Sequence, residues 1–318
     1  MNPIGGYFEL ELRKGGHYHQ DALRLNTARN GFEYVLRARQ YAKVYLPYYT
    51  CEVLLEPISK LGIDHEFYTV NEDLEPVELP VLKESEAFLY TNYFGLKQTC
   101  VKRLAEIYGD KLVVDNAQAF FAEPIQGIDT FYSARKFFGV PDGAYLYTDK
   151  MLEQELEQDI SHERMAHLLK RIDLGAEAGY QDFCRNDDSL CNQPMKRMSR
   201  LTESILGGID YELAKQSRRM NYVFLDKALK ESNLIHWQLD DEAVPMVYPY
   251  RTDDPSLRQK LIANKVFVAT YWPNVSEWTS HGMMERVLAD RLIPIPCDQR
   301  YGVGEMNRIC QMITNQKD

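Results

Sequence analysis

The strongest constraint on this chain is an alternation that runs from about residue 20 to residue 150: a short apolar run, a turn, a stretch with helical periodicity, then another apolar run. Strands buried on both faces read as continuous apolar text, and helices between them mark crossover connections, so the pattern predicts a mainly parallel sheet flanked by helices. Strands are expected at Lys43-VYLP, HEFYTV (65–70), Ala87-FLYTN, Lys111-LVVD, Thr130-FYS and Ala144-YLYT. Helices are expected over 30–41, 51–62 and 101–109, the last two stopped by Gly62 and Gly109 because glycine readily takes the left-handed conformation that ends a helix.

Beyond Asp149 the text changes. Leu152 to about Arg185 and Met198 to Ser232 read as two long helical stretches, and strand and helix alternation then resumes. Strands are expected at Val244-PMVYPY, Lys265-VFVATYW and Leu292-IPIP, and helices at Pro255-SLRQKLIA and Val303-GEMNRICQMI. The shift places a boundary near residue 210, between a large domain at 1–210 and a smaller C-terminal α/β domain at 211–318.

Composition excludes several classes. With 37 basic and 47 acidic residues the net charge is −10, which argues against non-specific nucleic-acid binding. Nothing approaches the apolar length of a membrane span, and the first residues lack the basic-then-apolar order of a secretory signal, so a cytoplasmic protein is expected. The six cysteines show no CxxC pair and read as reduced thiols, with no metal site.

Four segments carry chemistry. In Val113-Val-Asp115-Asn-Ala-Gln118 a strand delivers a carboxylate to the sheet edge at which open α/β sheets bind ligands. Asp115 there either caps the next helix or pairs with a protonated ring nitrogen, and Gln118 can offer its amide to the same ring. In Ser133-Ala-Arg-Lys136-Phe-Phe, Lys136 is either a solvated surface lysine or a nucleophile activated by Arg135 and the two phenylalanines, with Ser133 spaced to bond a phosphate. Asn26-Thr-Ala28-Arg29-Asn30-Gly-Phe opens a helix with small polar residues. Its amides and Arg29 suit a phosphate, although Thr27 or Asn30 as an ordinary cap explains the same text. Tyr48-Tyr49 follows a strand, and such a ring can stack on a planar cofactor or simply fill core.

The order of these pieces resembles the fold type I pyridoxal-phosphate enzymes, and within them the sugar aminotransferase family DegT/DnrJ/EryC1/StrS. Asp115-Asn-Ala-Gln118 is similar to the family's Asp-x-Ala-Gln/His element, Thr91-Asn-Tyr-Phe-Gly95 to its segment ending in Tyr-Gly, Arg197-Met-Ser to the start of its linking helix, and Leu292-Ile-Pro-Ile-Pro to its C-terminal element. The resemblance implies a three-layer αβα large domain and pyridoxal 5′-phosphate as a Schiff base on Lys136. It places Asp115 at the ring nitrogen, Gln118 against the ring, Ser133 and the Ala28–Asn30 segment at the phosphate, and Tyr49 at the ring. It further implies transfer of an amino group, from glutamate, to a nucleotide-linked keto-sugar, in a homodimer whose sites lie at the interface. The chain departs from the family at Phe131, where a serine is usual, at Met195, where an asparagine is usual, and at Gly139-Val-Pro-Asp-Gly143, which replaces Gly-Glu-Gly-Gly. Those departures keep two other readings in view: a sugar dehydratase or other enzyme with the same cofactor, and a non-catalytic cofactor-binding protein.

Overall fold

The computed structural model describes residues 4–314. Seven strands form one sheet in the order β1-β7-β6-β5-β4-β2-β3, from β1 (Leu23–Leu25), β2 (Lys43–Pro47), β3 (Asp64–Tyr68), β4 (Glu86–Thr91), β5 (Leu112–Asn116), β6 (Asp129–Ser133) and β7 (Ala144–Tyr147). β2 to β6 pair in parallel, while β7 runs antiparallel to both β6 and β1. The register Ser133↔Ala144↔Leu25 therefore sets the ends of β6 and β1 and the start of β7 at one edge.

Successive strand residues face opposite sides of a sheet, and here both sides are covered. Ala87, Leu89, Val113, Phe131 and Leu146 pack with Phe32 and Val35 of α1 (Ala28–Arg39) and Ile58 of α2 (Leu55–Leu61). Phe88, Tyr90, Val114, Tyr132 and Tyr145 join the other cluster, with Leu104 of α3 (Gln98–Tyr108) and with Leu225 of α7, a helix spanning Tyr211–Leu229. Burial on both faces is why these strands read as unbroken apolar text. The result is three layers with helices on both sides of the sheet, as expected.

Three expectations are corrected. The stretch from Leu152 to Arg185 is irregular up to residue 161, and its regular helices are α4 (Ala166–Asp173) and α5 (Ala176–Ser189), joined at Gly175 with φ +92°. The stretch from Met198 to Ser232 is broken into α6 (Arg200–Gly207) and α7, because the Gly207-Gly208 pair favours a stop and Asp210 caps a new helix by accepting the Leu213 N–H. Residues 265–272 form no strand. Val266 and Val268 are buried and Phe267 is exposed, which is strand-like alternation, but no described strand lies beside them to accept the ladder.

The C-terminal region carries a two-stranded antiparallel sheet, β8 (Val247–Arg251) with β9 (Leu292–Pro296), surrounded by α8 (Leu257–Ala263), α9 (Val275–Trp278), α10 (Met284–Arg291) and α11 (Val303–Thr314). Its apolar residues, among them Leu257, Ile293, Ile295 and Met306, belong to the same cluster as the second face of the large sheet.

Candidate active site

The strands β2, β4, β5 and β6 end at one edge of the sheet, where Cys51, Thr91, Asp115 and Ser133 follow or terminate them. Asp115 is 7% exposed. One carboxylate oxygen accepts the Ala117 N–H at 2.8 Å and the other lies 3.4 Å from the Thr91 hydroxyl. Burial raises its pKa, opposed first by the Lys136 ammonium and then by the two hydrogen bonds. A buried carboxylate at a strand end, near a lysine and short of strong partners, is suited to hold a proton against a cationic ligand atom.

Gln118 is fully buried. Its Oε1 accepts the Phe94 N–H at 3.0 Å, which fixes the amide orientation, and among the described residues its Nε2 has no hydrogen-bond partner. A buried amide N–H without an acceptor costs on the order of 1–3 kcal/mol. An oxygen of a bound molecule would satisfy it.

Ser133 ends β6, and a short 3-10 turn over Ala134–Lys136 follows. Phe137 N–H and Phe138 N–H both donate to Ala134 O, and Ala134 N–H donates to Gly143 O at 3.0 Å. Residues in such a turn splay about 120° apart, which separates what the sequence places side by side. Phe137 and Phe138 enter the core against Phe120, Phe121 and Tyr211. Arg135 pairs with Asp187 at 2.9 Å. Lys136 is exposed. The expected activation of Lys136 by flanking phenylalanines and Arg135 is therefore corrected: they point to other partners, and the group that faces Lys136 electrostatically is Asp115.

At the start of α1, Thr27 Oγ1 caps the Asn30 N–H at 3.1 Å, and among the described residues the N–H groups of Ala28 and Arg29 make no hydrogen bond. Two free amides at the positive end of a twelve-residue helix suit an anion. The side chains differ from expectation. Arg29 is 9% exposed and pairs with Glu56 at 2.6 Å, so its charge is met inside the chain. Asn30 Nδ2 donates to Asn26 Oδ1 at 2.8 Å and Pro194 O at 3.0 Å, which ties α1 to the segment before α6. The segment after Lys136 is tied there too. Gly143 N–H donates to Asn26 O at 2.6 Å, and the buried Asp142 accepts the Ser199 N–H at 2.8 Å together with the Ser199 and Thr202 hydroxyls. Gly143 has φ +116°, and a Cβ there would lie 2.9 Å from Thr202 Cγ2.

Tyr49 is also corrected. Its ring is fully buried, 5.1 Å from the Trp272 ring and 5.7 Å from the Tyr93 ring, and leaves no accessible face for stacking. The residue of that segment near Lys136, Asp115 and Arg29 is Cys51, whose thiol burial pushes up in pKa against the Lys136 charge. Tyr271, from the C-terminal region, has its pKa pushed up to about 12 by burial, and Cys51 lies close enough to add to that shift. Nothing in the sequence marks Cys51 over Tyr49, because the choice depends on how the turn after β2 rotates. Tyr271 arrives from a distant part of the chain.

No protein-family model matches the sequence, and no curated protein matches it. Solved structures do. The chain is similar to the sugar aminotransferase CalS13 from Micromonospora echinospora, at 16% identity and TM-score 0.59 over 93% of this chain and 87% of that one. It is also similar to a DegT DnrJ EryC1 StrS aminotransferase from Brucella abortus, at 13% identity and TM-score 0.60 over 92% and 85%. A third similarity is to DesI in the presence of its TDP-sugar product, at 15% identity and TM-score 0.62 over 92% and 79%. The chain has the fold of these aminotransferases. Each covers nearly all of it, so the C-terminal region is part of the shared architecture.

Arg251, at the end of β8, lies 3.7 Å from Glu72, and Lys196, just before α6, lies 3.9 Å from Asp159. Arg197 and Arg200 are exposed and make no ion pair among the described residues.

Proposed function

We propose that the protein is a pyridoxal 5′-phosphate-dependent aminotransferase that moves an amino group, from glutamate, to a keto-sugar carried on a nucleotide. The observation that carries this reading is the convergence at one sheet edge of a buried carboxylate with an amide, a lysine and two helix-start N–H groups that have no hydrogen-bond partner among the described residues. The set fits the cofactor group by group. Asp115 would hold the proton on the ring nitrogen, Gln118 Nε2 would donate to the ring oxygen, the Ala28 and Arg29 amides and Ser133 would take the phosphate, and Lys136 Nζ would take the aldehyde carbon. When bound, the cofactor supplies an electron sink for the pair left on the carbon that loses its proton. Lys136 Nζ, when not bound to the aldehyde carbon, would take a proton from the α-carbon of the amino donor and hand it to the cofactor carbon that bore the aldehyde. Asp115 would face the ring nitrogen throughout, and the exclusion of water at its buried position would strengthen that interaction.

The fold shared with CalS13, and with DesI in the presence of its TDP-sugar product, supports the sugar acceptor. A homodimer that covers the site fits the exposure of Lys136 and the apolar side chains that α4, α5 and their link present, Ile172 at 82%, Leu174 at 70% and Tyr180 at 65% exposed.

The test is spectroscopic. Protein mixed with pyridoxal phosphate should gain a visible absorption that borohydride abolishes, with the reduced adduct mapped to Lys136 and absent in Lys136→Ala. Glutamate should convert the bound cofactor to its amine form. A protein that takes up no cofactor sinks the reading, and capture without conversion by any common amino donor sinks the transfer step.

A further inference from the structure

Arg218, on α7, is 1% exposed, and no described carboxylate pairs with it. The nearest acid, Asp298, is engaged by Arg300 at 2.7 and 2.8 Å. Burial lowers the Arg218 pKa to about 10. A buried cation without a counter-ion is costly, and an apolar side chain of similar volume commonly serves stability as well. The contacts of Arg218 are specific instead. Nη1 donates to Pro245 O and Met246 O at 3.1 Å each, Nε donates to Gln299 Oε1 at 2.8 Å, and Nη2 reaches Phe137 O at 3.4 Å. Its guanidinium carbon lies 4.4 Å from the centre of the Phe137 ring.

Gln299 completes the arrangement by donating Nε2 to the same Phe137 O at 2.8 Å. The loop that carries Gln299 is held by Asn221, one turn along α7, whose Nδ2 donates to Cys297 O, Asp298 O and Tyr301 O. Phe137 is the residue after Lys136, and its own N–H closes the lysine-bearing turn on Ala134 O. Two side chains from distant parts of the chain thus hold the carbonyl side of that turn, while the lysine ammonium keeps no hydrogen bond of its own among the described residues.

We propose that Arg218 and Gln299 are positioning residues for Lys136: through the Phe137 carbonyl they fix the turn that aims the lysine and couple it to the C-terminal region. The role in cofactor capture rests on the function proposed above, whereas the clamp on the turn does not.

The experiment uses the full chain without cofactor and with pyridoxal phosphate. In Gln299→Leu and Arg218→Lys, hydrogen exchange of the Phe137 and Phe138 amides should accelerate about five- to tenfold without cofactor, the protection one net hydrogen bond supplies. The rate at which Lys136 captures pyridoxal phosphate, trapped with borohydride and read on the lysine peptide, should fall by a similar factor. Arg219→Gln is the control, because Arg219 neighbours Arg218 on α7 but donates to Asp240 O and Ala243 O. It should leave both readouts unchanged. Unchanged exchange in Gln299→Leu overturns the proposal, as does an equal acceleration in Arg219→Gln. Faster exchange with undiminished capture also overturns it, since the turn would then be held for a reason other than the lysine. If the unaltered protein captures no cofactor, the functional reading fails, and the exchange data alone decide the clamp.

Discussion

His19 offers a measurement of how tightly the N-terminal segment is bound to the large sheet, against Tyr132 of β6 and Tyr147 of β7. Its ring is 2% exposed, 4.1 Å from the Tyr132 ring. Nε2 lies 2.7 Å from Phe120 O, and since a carbonyl only accepts, Nε2 carries the proton and Nδ1 accepts from the Tyr147 hydroxyl at 3.3 Å. Burial is the largest influence and lowers its pKa from the ordinary 6.5 to about 4, against the Phe120 hydrogen bond, which favours the charged form. The folded value lies below the unfolded one, so the unfolded chain binds more protons between the two, and stability falls as pH falls through that window. Each pH unit is worth about 1.4 kcal/mol, which gives a loss of about 3 kcal/mol between pH 7 and pH 4 from this one residue. His17, half-buried and lowered in the same direction, contributes in the same window, so the single-residue part needs a difference. His19→Gln keeps an N–H for Phe120 O and cannot titrate. Urea unfolding of both proteins at fixed pH steps should show the unaltered chain losing about 3 kcal/mol more than the variant on going from pH 7 to pH 4. Parallel pH profiles for the two proteins would refute the reasoning, because His19 would then titrate alike in both states.

Asp115→Asn should leave cofactor capture by Lys136 in place and slow conversion by glutamate at least about a hundredfold, since a neutral amide no longer stabilises charge at the ring; an unchanged single-turnover rate would remove Asp115 from its role. Gly95 holds φ +73°, and a Cβ there would lie 2.7 Å from Val244 O. Gly95→Ala should lower stability by about 3 kcal/mol in urea unfolding. It should also disturb Gln118, because the adjacent Phe94 binds the Gln118 side chain through its N–H and Met246 through its carbonyl. A loss below about 1 kcal/mol would show that the turn yields easily.

What the sequence determined by itself is what neighbours along the chain decide. The strand at 112–116 was legible because both faces are buried and it opens on a run of apolar residues, and the end of α2 at Gly62 because its left-handed φ of +65° calls for glycine. Asp115 and Gln118 were legible as a pair because a strand end followed by a tight turn keeps residues three apart at one edge. Tertiary structure decided the rest, since a side chain's partner is set by what the fold brings to it. Arg29 offers a cation to an anion in the sequence and meets Glu56 in the fold. Lys136 stands between an arginine and a phenylalanine in the sequence, yet in the fold it faces Asp115, with the next peptide held by Arg218 and Gln299 from 81 and 162 residues beyond it. Residues 265–272 carry the alternation of a strand and lack a strand beside them. Periodicity reports which face is buried, but pairing and charge compensation are properties of two segments, and only the folded chain brings the second.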